Sequence, residues 1–233
     1  MMIEVIPSDT RGSADHGWLR AKHTFSFADY QNPARVHFGP LRVINEDRIA
    51  PGQGFGTHSH KDMEIVTYII SGAIEHKDNM GNGTVISAGE IQRMTAGTGI
   101  EHSEFNHSQD DELHLLQIWL FPEEKGLVPG YEQIEFTRKD KLNQLKLVGS
   151  RDGRDGSVTI HQKVDLYASV LEAGTELTHT MADTHKIFVQ VISGDLTISG
   201  KTLAAGDGVQ IKNENSVLII AQSEAEILLF DMD

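Results

Sequence analysis

Thr57-His58-Ser59-His60-Lys61-Asp62-Met63-Glu64 and Gly97-Thr98-Gly99-Ile100-Glu101-His102-Ser103-Glu104-Phe105-Asn106 are the stretches whose reading decides the fold. Side chains on a β-strand alternate faces, so His58 and His60 point the same way, with Asp62 and Glu64 following on that face if the strand continues. His102 and Glu104 share a face by the same parity. Two such strands opposed across a small barrel bring three imidazoles and one or two carboxylates around one point, a donor set for a divalent metal. A single His-x-His is matched by chance on many protein surfaces. Here a second ligand-like pair follows inside a glycine-rich turn, and strand patterns surround both.

Outward from these stretches the chain reads as short strands separated by turn signals. Leu41 to Ile49 is a strand candidate, and Ala50-Pro51-Gly52-Gln53-Gly54-Phe55-Gly56 turns the chain sharply into the His58 strand. Ile65 to Ile70 is β-branched and aromatic, Ala73 to Asp78 continues as a strand, and Asn79-Met80-Gly81-Asn82-Gly83 is a strong turn signal. Thr84 to Ile86, Ile91 to Met94 and His114 to Leu120 complete the half. Upstream, Met2 to Pro7 is a short strand candidate, Arg11 to Leu19 is too polar and glycine-broken for a regular element, and His23 to Tyr30 reads as a strand that carries Phe25 and Phe27 on one face. Inward aromatics, with the Trp18 to Tyr30 segment at the mouth, are the expected pocket walls. His23, His37, His76 and His114 have no spacing that singles them out and are read as structural or surface residues.

The stretch Pro122 to Asn143, rich in charge and turn residues, is the linker candidate. Strands resume at Val158 and Leu166, and the second half repeats the first. Glu64 to Gly72 matches Lys186 to Gly194, and Ser87-Ala88-Gly89-Glu90 matches Ala204-Ala205-Gly206-Asp207. A repeat of about 120 residues implies two copies of one barrel. On this register His58 and His60 fall opposite Thr180 and Ala182, and the His102 region falls in Val217 to Ile219, so no metal site is expected in the second copy. The expected domains are 1–130, which carries the metal site, and 140–233, which lacks ligands.

Composition narrows the functional classes. With 233 residues, 39% of them hydrophobic and 23% charged, the chain has enough apolar material for a core. A net charge of -14 disfavours nucleic acid and anionic membranes as direct ligands. Without cysteine, disulfides, thiolate metal sites and cysteine nucleophiles are excluded, and any metal is held by nitrogen and oxygen. Met1 to Gly12 lacks a basic region followed by an apolar one, and no run approaches a membrane span, so the cytoplasm is the expected compartment.

With the repeat and both ligand pairs in view, the sequence resembles the cupin superfamily and, within it, the pirin family. The resemblance covers nearly the whole chain and rests on Gly17-Trp18-Leu19, His23 to Tyr30, His58 to Glu64 and Gly97 to Asn106. Gly97 stands where many cupins have proline. The resemblance implies an all-β bicupin, two double-stranded β-helix (jelly-roll) barrels in tandem.

Parity leaves both Glu64 and Glu104 open as the carboxylate ligand. The pirin resemblance implies His58, His60, His102 and Glu104 as metal ligands, with Glu64 as a partner orienting a histidine. It implies one divalent transition metal, Fe(II) foremost, while Cu, Mn, Ni, Co and Zn also suit the donor set. Its bacterial members are described as quercetin 2,3-dioxygenases, oxidoreductases that open the heterocyclic ring of a flavonol with O2 and release CO. In that reading Glu104 is the general base, since a carboxylate beside the metal is within reach of the substrate hydroxyl proton. Two other readings accompany it: a metal-dependent, redox-sensing regulator that binds a protein partner, and a cupin dioxygenase with another small-molecule substrate.

Overall fold

The computed structural model describes residues 2–233, and nearly all its regular structure is antiparallel β-sheet. The chain forms two compact units, each a pair of sheets, and is a bicupin. The first unit comprises Gly12–Glu135 with Val158–Gln162. The second comprises the chain up to Arg11, Phe136–Ser157 and Lys163–Asp233.

In the first unit the smaller sheet runs in the order Gly54–His60, Ile100–Asn106, Ala73–Asp78, Gly83–Ser87. The second unit repeats that order with Glu176–Thr180, Ser216–Ala221, Leu196–Ile198 and Lys201–Leu203, as the sequence repeat requires. The larger sheet of the first unit is Gly130–Glu135, Glu90–Thr95, Glu64–Ser71, Leu113–Leu120, Leu41–Ile49, Leu19–His23, Gly12–Asp15. Ile49, Ile69, Ile74, Ile86, Leu113 and Leu115 pack together in its core. In the second unit Ile187, Val189, Leu196, Ile211, Ile219 and Leu229 do the same. Each such side chain contributes about 1.5–3 kcal/mol by leaving water. Among the described residues no helix is long and apolar enough to cross a membrane.

The structure departs from the sequence reading in four places. The expected boundaries, 1–130 and 140–233, are crossed by two segments. Met2–Ile6 pairs with Gly208–Lys212 and so belongs to the second unit, whereas Val158–Gln162 belongs to the first. The linker candidate holds a strand, Gly130–Glu135, paired with Glu90–Thr95, and a short helix, Arg138–Lys141, started by a Thr137–Asp140 capping box. The segment judged too polar for regular structure is a hairpin, Gly12–Asp15 with Leu19–His23. Ser13, Asp15 and Arg20 are exposed, while Leu19 and Ala21 face the core and His23 is buried on their side. Finally, the strand expected over His23 to Tyr30 ends at His23. Beyond it the chain turns, with Ala28 at φ +47, leaving Phe25 buried and Phe27 against Trp119.

Candidate metal centre

The strand Ile100–Asn106 lies between Gly54–His60 and Ala73–Asp78 and carries the middle of the site. Its burial alternates strictly: Ile100, His102, Glu104 and Asn106 face in, while Glu101 and Phe105 face out. His102 pairs with His58 on one side and Asp78 on the other. Glu104 pairs with Phe55 on one side and His76 on the other. Between these rows the pairing with Gly54–His60 shifts register. That irregularity changes the parity of the strand, so Phe55 lines the same cavity as His58 and His60. Gly54 permits the close approach, because a Cβ there would lie 2.1 Å from the Glu104 carbonyl oxygen.

His58, His60 and His102 converge, each offering a ring nitrogen within 4.8 Å of the others'. Their rings lie 4.3 to 4.9 Å apart, centre to centre. His58 Nδ1 donates to the Gly56 carbonyl at 2.8 Å, which leaves Nε2 as a free lone pair. His102 Nε2 is buried and has no hydrogen-bond partner. An unpaired buried nitrogen is costly unless something outside the protein fills its lone pair, and a metal does so. Burial, then the neighbouring His58, push His60 down to about 4. Burial, then His58, His60 and His76, push His102 down to about 3. Both are therefore neutral, the form that binds metal.

Glu104 is buried, and its carboxyl falls within 4.8 Å of His76 and His102, in a set distinct from the three imidazoles. Burial raises it to about 7, against a hydrogen bond from Gln117 Nε2 to Oε2 of 3.1 Å. Thr67 Oγ1 donates to Gln117 Oε1 and so orients that amide. Asp62, expected on the ligand face, lies past the end of the strand with φ +51 and accepts from the Gly126 amide.

Glu64 is fully buried, but its partners are Thr95 and His161 rather than a histidine of the cluster. His161 gave no signal in the sequence, since nothing in its local pattern announces a contact made so far along the chain. His76, read as structural or surface, is fully buried beside His102. Its signal was present: Ile74, His76 and Asp78 share one strand face, and Ile74 is core. In the second unit His179 and His185 both hydrogen-bond Asp231, at 2.8 and 2.6 Å.

A cavity of about 410 Å3 opens onto His58, His60 and Glu104. Trp18, Phe27, Phe55 and Trp119 form its aromatic wall. Trp119 stands edge-on to His60 at 4.9 Å and to Phe27 at 5.5 Å, and Trp18 stands edge-on to Phe55 at 5.3 Å. Such contacts fix ring orientation as well as burying area.

Two family models and several known proteins match the chain. A family model described as Pirin matches residues 6–120, and one described as Quercetinase C-terminal cupin domain matches residues 147–232. The chain is 48% identical to a protein of Escherichia coli K12 named quercetin 2,3-dioxygenase, with 99% of each covered. It is 38% identical to a pirin-like protein of Caulobacter vibrioides, again with 99% of each covered. The crystal structure of the bacterial pirin YhhW from Escherichia coli, in complex with nickel(II), matches with a TM-score of 0.95 at 47% identity, covering 99% of both chains.

Proposed function

The chain belongs to the pirin family, and on that premise we propose that it is a metal-dependent dioxygenase that opens the heterocyclic ring of flavonols such as quercetin with O2 and releases CO. The observation that carries this reading is the aromatic cavity against the imidazole cluster. Its volume of about 410 Å3 lies in the range of small-molecule sites, roughly 300–1,000 Å3.

His58, His60, His102 and Glu104 are the residues that would hold the metal. A divalent transition metal there supplies a Lewis acid that favours the ionised form of the flavonol hydroxyl. The chain's own groups supply the rest. Trp18, Phe27, Phe55 and Trp119 receive a flat, electron-rich ring system and exclude water from it. Glu104 takes the hydroxyl proton on its carboxylate. A carboxylate beside the metal would be within reach of that proton. Gln117 keeps the carboxylate turned in place through its hydrogen bond to Oε2.

The test is CO release during aerobic incubation with quercetin, on protein reconstituted separately with Fe(II), Cu, Mn, Ni and Co. His60→Ala is the control. Metal-dependent release that the control loses is the expected result. No release from any metallated form would overturn the reading.

A further inference from the structure

His102 is held from behind by a chain of buried groups. Its Nδ1 lies 3.5 Å from His76 Nδ1, and His76 Nε2 lies 3.3 Å from Asp78 Oδ2. His76 and the Asp78 side chain are fully buried, and His102 nearly so. Asp78 is in turn pinned by the turn that follows it. Met80 N and Asn82 N donate to its Oδ1 at 2.9 and 3.0 Å, and Asn82 Nδ2 donates to its Oδ2 at 2.7 Å.

With His76 neutral, as its burial favours, one arrangement of protons satisfies these contacts. Every partner of Asp78 is a donor, so the carboxylate accepts from all of them and His76 Nε2 carries a hydrogen. His76 is neutral and its Nδ1 is then an acceptor. His102 must donate from Nδ1, which leaves the lone pair of His102 Nε2, the buried nitrogen without a partner, facing the cluster.

We propose that His76 and Asp78 are positioning residues, which through this chain lock His102 in the tautomer that offers Nε2 to the metal. The role deepens the metal reading above and rests on it. It also explains why a buried histidine and a buried aspartate side chain share the inward face of this strand with the core residue Ile74. Outer partners that orient a metal-bound imidazole typically contribute about 10–100-fold in affinity.

The test is the Ni(II) dissociation constant of the full chain, measured by competition with a chromophoric chelator. His76→Phe keeps a ring against Tyr131, which His76 meets at 5.1 Å, but removes the acceptor, so binding should weaken about 10–100-fold. His76→Gln restores an acceptor oxygen and should recover most of that loss. Asp78→Asn places an amide among four donors and should weaken binding about tenfold. Nitrogen-15 spectra of the metal-free protein should show His102 as the Nδ1–H tautomer in the wild type and as a mixture in Asp78→Asn.

Unchanged affinity in His76→Phe and Asp78→Asn would overturn the proposal. So would a His76→Gln protein as weak as His76→Phe, which would make His76 a direct ligand. If the wild type binds no Ni(II), the metal reading itself fails. The tautomer spectra need no metal, so they still decide whether His76 and Asp78 orient His102. Should His76→Phe not fold, Asp78→Asn carries the decision by both affinity and spectrum.

Discussion

One carboxylate oxygen of Glu64 meets His161 twice, accepting its backbone N–H at 3.1 Å and lying 3.2 Å from its ring Nδ1. Thr95 Oγ1 donates to the same oxygen at 3.1 Å. Glu64 is thus a structural anchor that, through Oε2, ties Val158–Gln162 to the strands of the first unit, and it belongs to neither group of side chains that, among the described residues, could hold a metal. Glu64→Gln should leave the Ni(II) dissociation constant within a few-fold of the wild type. It should lower stability by about 1–3 kcal/mol, because a buried hydrogen-bonded group loses part of its set. Chelator competition and thermal unfolding on the same sample read both. Loss of metal binding at unchanged stability would restore Glu64 as a ligand.

Glu104→Gln separates metal holding from proton transfer. The amide keeps an oxygen for the metal, and Gln117 can turn its own amide to match. The base is gone, however, so kcat should fall by about 10²–10⁴. The check is the rate of CO release per bound metal. A variant with full turnover and full metal occupancy would remove Glu104 from the base role.

Glu104 also predicts how metal binding depends on pH. Burial raises its carboxyl to about 7 in the metal-free chain, so at pH near 6 it is mostly protonated and an incoming metal must displace that proton. His60 and His102, pushed down to about 4 and 3, are already neutral there and release none. Affinity should therefore rise with pH up to about 7 and then level off, and Glu104 should contribute close to one released proton at pH about 6 and close to none above pH about 8. Calorimetric titration with Ni(II) in two buffers of different ionisation enthalpy counts the protons, and the difference from Glu104→Gln isolates this group. No difference at pH near 6 would show that Glu104 is not displaced from its proton.

The parts of the site legible in the sequence are those that follow strand parity. His58 and His60 keep their alternation at one end of Gly54–His60, as His102 and Glu104 do on Ile100–Asn106, and the repeat of Glu64 to Gly72 in Lys186 to Gly194 exposes the second barrel. What failed was decided by distant contacts or by single backbone angles. The positive φ of Ala28 and the hydrogen bonds of Ser26 and Arg42 shape the segment after His23 into a turn that delivers Phe27 to the cavity. No local pattern distinguishes that outcome from a strand with Phe25 and Phe27 on one face. His161 reaches Glu64 from 97 residues away, and such pairing leaves no periodicity to read. The register shift opposite His102 likewise hides Phe55, which strict alternation would place on the opposite face from His58.

Gly54 is where backbone packing and the imidazole cluster meet. A Cβ at this position would lie 2.1 Å from the Glu104 carbonyl oxygen and 2.5 Å from Phe105 Cα, both backbone atoms that cannot rotate away. Relief requires the strand Gly54–His60 to separate from Ile100–Asn106, and those strands carry His58, His60, His102 and Glu104. Gly54→Ala should therefore lose about 1–3 kcal/mol or more of stability and weaken Ni(II) binding at least about tenfold, both from one displacement. Gly56→Ala is the matched control: a Cβ there meets nothing within 4 Å, and the carbonyl that accepts from His58 Nδ1 is retained. Thermal unfolding and chelator competition on the two variants compare them. Equal, wild-type-like behaviour would show that the strands can part without disturbing the cluster. A loss confined to Gly54→Ala would tie ligand geometry to the close approach of the two backbones.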